Sequence, residues 1–169
     1  MKQRIFSILV DNSAGVLSRI SGLFSRRGYN IDSLTVGVTA DPRYSRMTIV
    51  STGDDAVLEQ ITKQLAKQVD VRSIKVLKAD TSVHRELILV KIRVDKEERQ
   101  NVLALTSIFR ANIIDVGTDS VIIELTGAQS KLDPFIKLIQ EQGYEIVELA
   151  RTGITGLSRG IGDVTYLDD

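Results

Sequence analysis

The sequence predicts an α+β chain of two units that share the order β-α-β-β-α-β. Three observations carry that expectation. "RIFSILV" (4–10) is a mostly apolar, β-prone run of the kind that fills an interior strand. From Ala14 the apolar period changes: Val16, Leu17, Ile20, Leu23 and Phe24 mark one face of a helix. The same succession of elements then starts again at "RELILVKIRV" (85–94).

Each element follows from local signals. Gly28 sits where a helix-ending glycine belongs. "NIDSLTVGVT" alternates Leu34, Val36 and Val38 with Thr35 and Gly37, as a strand does. "ADPRYS" is a turn, because Pro42 fixes its own φ and Asp41 precedes it. "RMTIVST" returns as a strand. Asp54 or Asp55 caps a second helix whose face is Val57, Leu58, Ile61 and Leu65, and "VRSIKVLK" closes the unit. "ADTSVHR" (79–85) is polar and unpatterned and reads as a linker. In the second unit, Val102, Leu105, Ile108 and Phe109 mark a helix face, and "IIDVGTDSVIIELTG" is a hairpin turning near Thr118 and Asp119. Ser130 is placed to cap a helix carrying Leu132, Phe135, Ile136 and Ile139, with Pro134 tolerated in its first turn. "YEIVELA" is the last strand. The expected domains are thus 1–78 and 86–169, joined by 79–85. Each is a ferredoxin-like split βαβ, four antiparallel strands with two helices on one face. The bare opposite face and the sheet edges predict a homodimer at least.

Composition excludes several functions. Lys+Arg and Asp+Glu both total 22, so no basic surface suited to nucleic acid spreads over the chain. Phe6 is the only ring on the strands that would stack RNA bases, and no helix-turn-helix or basic region is present. The chain has no cysteine and one histidine, His84, which rules out a disulfide framework, a thiolate metal site and a histidine cluster. Without a tight carboxylate pair either, no catalytic constellation is legible. No apolar run approaches the roughly 20 residues that span a bilayer. The expected location is the cytoplasm.

One stretch stands out: "DNSAGVLSRISGLFSRRGYNID" (11–32). The first N–H groups of a helix lack internal partners, and with the helix dipole they suit a carboxylate. Gly15 lets a ligand approach the backbone. Asn12 and Asn30 each offer an amide donor and a carbonyl acceptor, the second suited to an ammonium group. With Val16, Leu17 and Ile31 as apolar neighbours, the set describes a site for a hydrophobic α-amino acid. The same residues also make an ordinary capping turn and an ordinary helix stop, and taken alone they leave both readings open. The corresponding corner of the second unit, "DKEERQN", lacks the Asn and the Gly.

"DNSAGVLSRISGLFSRRGYNIDSLTVG" followed by "DPRYSRMTIV" resembles the ACT domain of the small regulatory subunits of acetolactate synthase. "RELILVKI", "FRANIIDV", "LTG…SKLDPFI" and "ARTGITGLSRG" resemble the second half of the same family, whereas "IGDVTYLDD" matches nothing in it. The resemblance implies a non-catalytic subunit in branched-chain amino-acid synthesis. Such a subunit activates a large catalytic partner, which carries thiamine diphosphate, Mg and FAD, and confers feedback inhibition by valine. It also implies that Asn12, Gly15, Val16 and Leu17 face the effector from one chain, and that Asn30 and Ile31 face it across a dimer interface. The alternative expectation is a stand-alone ACT-type amino-acid sensor acting on a different protein.

Overall fold

In the computed structural model, which describes residues 1–164, the chain divides into two compact units. The first comprises Met1–His84 together with the segment from Ile154 onward, and the second comprises Arg85–Gly153.

The first unit runs β1 (Lys2–Asp11), α1 (Val16–Arg26), β2 (Ser33–Val38), β3 (Tyr44–Gly53), α2 (Asp55–Ala66) and β4 (Val71–Leu77). Its antiparallel sheet has the order β2-β3-β1-β4. Register fixes the faces. Phe6 pairs with Ile49 and Ile8 with Met47, so both pairs point to the helix side, where α1 and α2 bury Val16, Ile20, Leu23, Phe24, Leu58, Ile61 and Leu65. Each large side chain buried this fully contributes about 1.5–3 kcal/mol. Asp54 caps α2, accepting from the Val57 N–H at 2.8 Å.

The second unit runs from β5 (Ser82–Arg93, whose first three residues belong to the first unit) through α3 (Arg99–Phe109), β6 (Asn112–Val116), β7 (Ser120–Gly127), α4 (Gln129–Glu141) and β8 (Ile146–Arg151), with strand order β6-β7-β5-β8. Its core joins Ile88, Val90, Ile92, Ile123 and Leu125 to Val102, Leu132, Phe135 and Ile139. An ion triad with one buried member, Glu86, ties three elements together: Arg151 grips both oxygens of Glu86 (2.7 and 3.1 Å) and also reaches the exposed Asp133 at 3.0 Å.

Five expectations change. Residues 79–81 are a turn, but β5 already starts at Ser82, so the polar stretch is largely strand rather than linker. A short strand missed in the sequence, β9 (Thr155–Ser158), pairs with the start of β5 and returns the chain end to the first unit. The helix-free face of the first sheet is therefore not bare: Leu9, Val50 and Leu77 are buried within the single chain. Helix α4 is capped at Ala128 rather than Ser130, and Ile108 is 74% exposed. Ile108 lies about 60° round the helix from Leu105, outside the arc that Val102, Leu105, Thr106 and Phe109 turn toward the sheet. Of the expected tail 161–169, residues 165–169 lie outside the described residues.

Candidate functional site

The turn between β1 and α1 is built on Gly15, which sits at φ 86° as the N-cap of α1. A left-handed residue there is what lets the chain swing from strand into helix, and glycine adopts it without penalty. No side chain caps this helix and no acidic residue lies in its first turn. Val16 N–H makes only a 3.5 Å contact to the Ser13 carbonyl, and the ladder starts at Arg19 N–H, which donates to Gly15 at 2.9 Å. The N–H groups of Leu17 and Ser18 are left as open donors at the positive end of the helix dipole.

The surrounding side chains hold the turn still. Asn12 is pinned to the β2–β3 turn, its N–H donating to the Arg43 carbonyl (2.8 Å) and its Nδ2 to the Pro42 carbonyl (2.9 Å). The Asn12 amide oxygen accepts no hydrogen bond among the described residues. Asp11 and Arg72 form a two-bonded pair at 2.7 and 3.0 Å. Arg19 makes a second such pair with Asp70 at 2.7 and 3.1 Å. Asp70 is 7% exposed, and its hydrogen bonds from Arg19 hold its carboxyl below the ordinary value of 3.8. The Arg19 guanidinium arches over the glycine, so that a Cβ at residue 15 would meet Nη1 at 2.8 Å.

Of the six residues expected at the effector, Asn12, Gly15 and Leu17 come together at this corner, with Leu17 47% exposed. Val16 does not offer its side chain: it is 4% exposed and belongs to the core. Asn30 and Ile31 lie past the other end of α1. Eleven residues at 1.5 Å each put the two ends about 16 Å apart, too far for one small amino acid to touch both in one chain. The Asn30 segment is ordered by its own bonds, Nδ2 donating to Asp32 and the carbonyl accepting from Ser51 Oγ. Sequence reasoning missed Arg19 and Asp70, because a contact spanning 51 residues leaves no local signal.

The matching corner of the second unit is built differently. Asp95 Oδ1 accepts from the N–H groups of Glu97 and Glu98 in the turn before α3, which sets carboxylates beside a helix start that itself has no side-chain cap. A cavity of about 470 Å³ beside it is lined by Arg93, Asp95, Glu98, Asp119 and Tyr144, whose net charge is negative. Tyr144 donates to Glu98 at 3.0 Å.

Residues 6–73 match the family described as the acetohydroxyacid synthase small subunit-like ACT domain, and residues 85–160 match the small subunit of acetolactate synthase. The chain belongs to the acetolactate synthase small subunit family. It is 51% identical over 158 residues to the acetolactate synthase isozyme 3 small subunit of Escherichia coli K12, covering 94% of this chain and 96% of that one. The probable acetolactate synthase small subunit of Methanothermobacter thermautotrophicus is 48% identical over 157 residues, 92% of each chain. The crystal structure of the Thermotoga maritima acetolactate synthase small subunit superposes with a TM-score of 0.85 at 42% identity, over 95% of this chain and 99% of that one. As an acetolactate synthase small subunit with an ACT domain at its N-terminus, the chain carries the open helix start in that ACT domain. Among the described residues, no helix is long and apolar enough to cross a membrane, and no group of three or more His, Cys, Asp or Glu side chains is placed to hold a metal ion.

Proposed function

We propose that this small subunit is the regulatory partner of the large acetolactate synthase subunit, raising its activity and conferring feedback inhibition by valine. Thiamine diphosphate, Mg and FAD belong on the large subunit, and this chain works by binding the effector. The observation that carries the reading is the uncapped start of α1, with two open N–H donors beside a left-handed glycine.

The valine carboxylate sits on the Leu17 and Ser18 amides, its ammonium faces the Asn12 oxygen, and Leu17 covers its side chain. The 16 Å between the ends of α1 is why a second copy completes the site: Asn30 and Ile31 of the partner close it. The chain therefore works as a homodimer. An effector that bridges two copies favours the dimer geometry that seats it best and shifts the population toward it. A sensor acting near 0.1 mM needs only about 5–6 kcal/mol of binding free energy. Three charge-assisted hydrogen bonds and a small apolar contact are enough for that.

The test is reconstitution with the large subunit, with and without valine. Wild type raises the rate and valine lowers it. Asn30→Ala keeps the activation and weakens valine binding in calorimetry. An unchanged affinity would remove Asn30 from the site, and a rate that does not respond to the small subunit would remove the regulatory role.

A further inference from the structure

The chain leaves the second unit at Gly153, whose φ of 88° lies in the left-handed region that glycine allows without strain. The next residue, Ile154, is 5% exposed and its N–H donates to Ser33 Oγ at 2.9 Å. Two residues on, a Cβ on Gly156 would lie 2.7 Å from the Val83 carbonyl oxygen and 3.1 Å from Leu77 Cδ1. Ser33 and Leu77 end one row that crosses the sheet, Ser33–Val50–Ile5–Leu77. Residues 154–156 thus lie over the helix-free face of the first sheet and touch residues of both its edge strands. Beyond them, Arg159 N–H donates to the Thr81 carbonyl at 2.8 Å, and Asp163 reaches Lys75 at 3.6 Å.

Two features make this strap more than a seal. On the same face, in neighbouring rows, Thr48 Oγ1 and Ser73 Oγ are buried without a hydrogen-bond partner among the described residues, so this face is not packed to full polar satisfaction. Ser33, its first anchor, lies three residues beyond Asn30. The intervening backbone is wired by side chains: Asn30 Nδ2 and Thr52 Oγ1 both donate to the Asp32 carboxylate, and Ser51 Oγ donates to the Asn30 carbonyl.

We infer that residues 154–163 form a latch whose docking on Ser33 reports whether the Asn30–Ile31 segment is occupied. The inference rests on the effector reading above and adds the route by which occupancy leaves the first unit. Valine seated against residues 30–31 favours the position in which Ser33 Oγ accepts the Ile154 N–H. Docking then fixes the chain at Gly153, the last residue of the second unit. Because coupling between two binding events is reciprocal, a docked latch strengthens valine binding by the factor with which valine strengthens docking.

The test is hydrogen exchange at the Ile154 amide of the full chain, with and without saturating valine, alongside calorimetry. In wild type, valine slows that exchange about fivefold or more. Ser33→Ala abolishes the slowing and weakens valine affinity by a matching factor, and Ser33→Thr, which keeps the hydroxyl, restores both. If wild type binds valine while Ile154 exchange stays unchanged, the latch is overturned and the effector reading stands. If wild type binds no valine, the effector reading falls and the coupling falls with it. A Ser33→Ala protein that melts earlier but binds valine as wild type does also overturns the latch, since a purely structural role gives that pattern.

Discussion

Gly15 is the residue on which the corner turns. At φ 86° any side chain is strained by about 1–2 kcal/mol, and a Cβ would also press on Arg19 Nη1. Gly15→Asp adds a negative charge where the effector carboxylate is proposed to sit. Valine inhibition of the reconstituted complex is expected to vanish while activation largely survives. Gly15→Ala serves as the control, because it carries the backbone strain without the charge: melting should drop in both variants, but inhibition should be lost far more completely in the aspartate. An aspartate variant that stays fully valine-sensitive would make the corner a plain turn. Asp70 adds a pH signature. Hydrogen bonds from Arg19 lower its carboxyl below 3.8 in the folded chain, so the stability it contributes is fully present above that value. That contribution is lost as pH falls through the depressed value. Asp70→Asn should therefore be less stable than wild type near neutrality and should lose less stability on acidification, as read by thermal melts from pH 7 to pH 2.

At the scale of elements, caps and ion pairs differ in what they contribute. Asp54→Ala removes a single exposed cap on α2 and should cost about 1 kcal/mol. Glu86→Ala strips the buried member of the triad that joins β5, β8 and α4. Arg151 keeps Asp133, so the cost should be near the lower end for a broken buried pair, about 3 kcal/mol in denaturant unfolding. Near-equal losses in the two variants would contradict the burial argument. The contrast also bears on what the sequence made legible. Helices α1 and α2 could be read from period and punctuation, because Gly28 and Asp54 act through neighbours within a few residues. The triad could not: its members are 18 and 65 residues apart. Ile108 misled for a different reason. An apolar residue at the rim of a helical arc fits the pattern of a buried face without being covered.

At the scale of the molecule, the two units have distinct chemistry despite one topology. The first enters α1 through a left-handed glycine, and the second enters α3 through a turn in which Asp95 accepts from Glu97 and Glu98 and sets carboxylates beside the helix start. That difference was legible from "DNSAG" against "DKEERQN". What the sequence concealed was the return of residues 154–164 to the first unit, because β9 is four residues long and its partners lie far back in the chain. The consequence is testable. A fragment ending at Lys78 lacks the strap over Val50, Ile5 and Leu77, so it should melt below the full chain and bind a dye for exposed apolar surface. A fragment as stable as the full chain would show that the strap adds nothing to the first unit.

The central claim is that paired copies of the chain hold one free valine per protomer, its carboxylate on the opening amides of α1. A calorimetric titration of the purified chain with valine tests it most directly. The account predicts saturable heat at a stoichiometry of one per chain, with a Kd on the order of 0.1 mM that weakens as dilution dissociates the dimer. Absence of heat at millimolar valine, with the chain folded and dimeric, would contradict it.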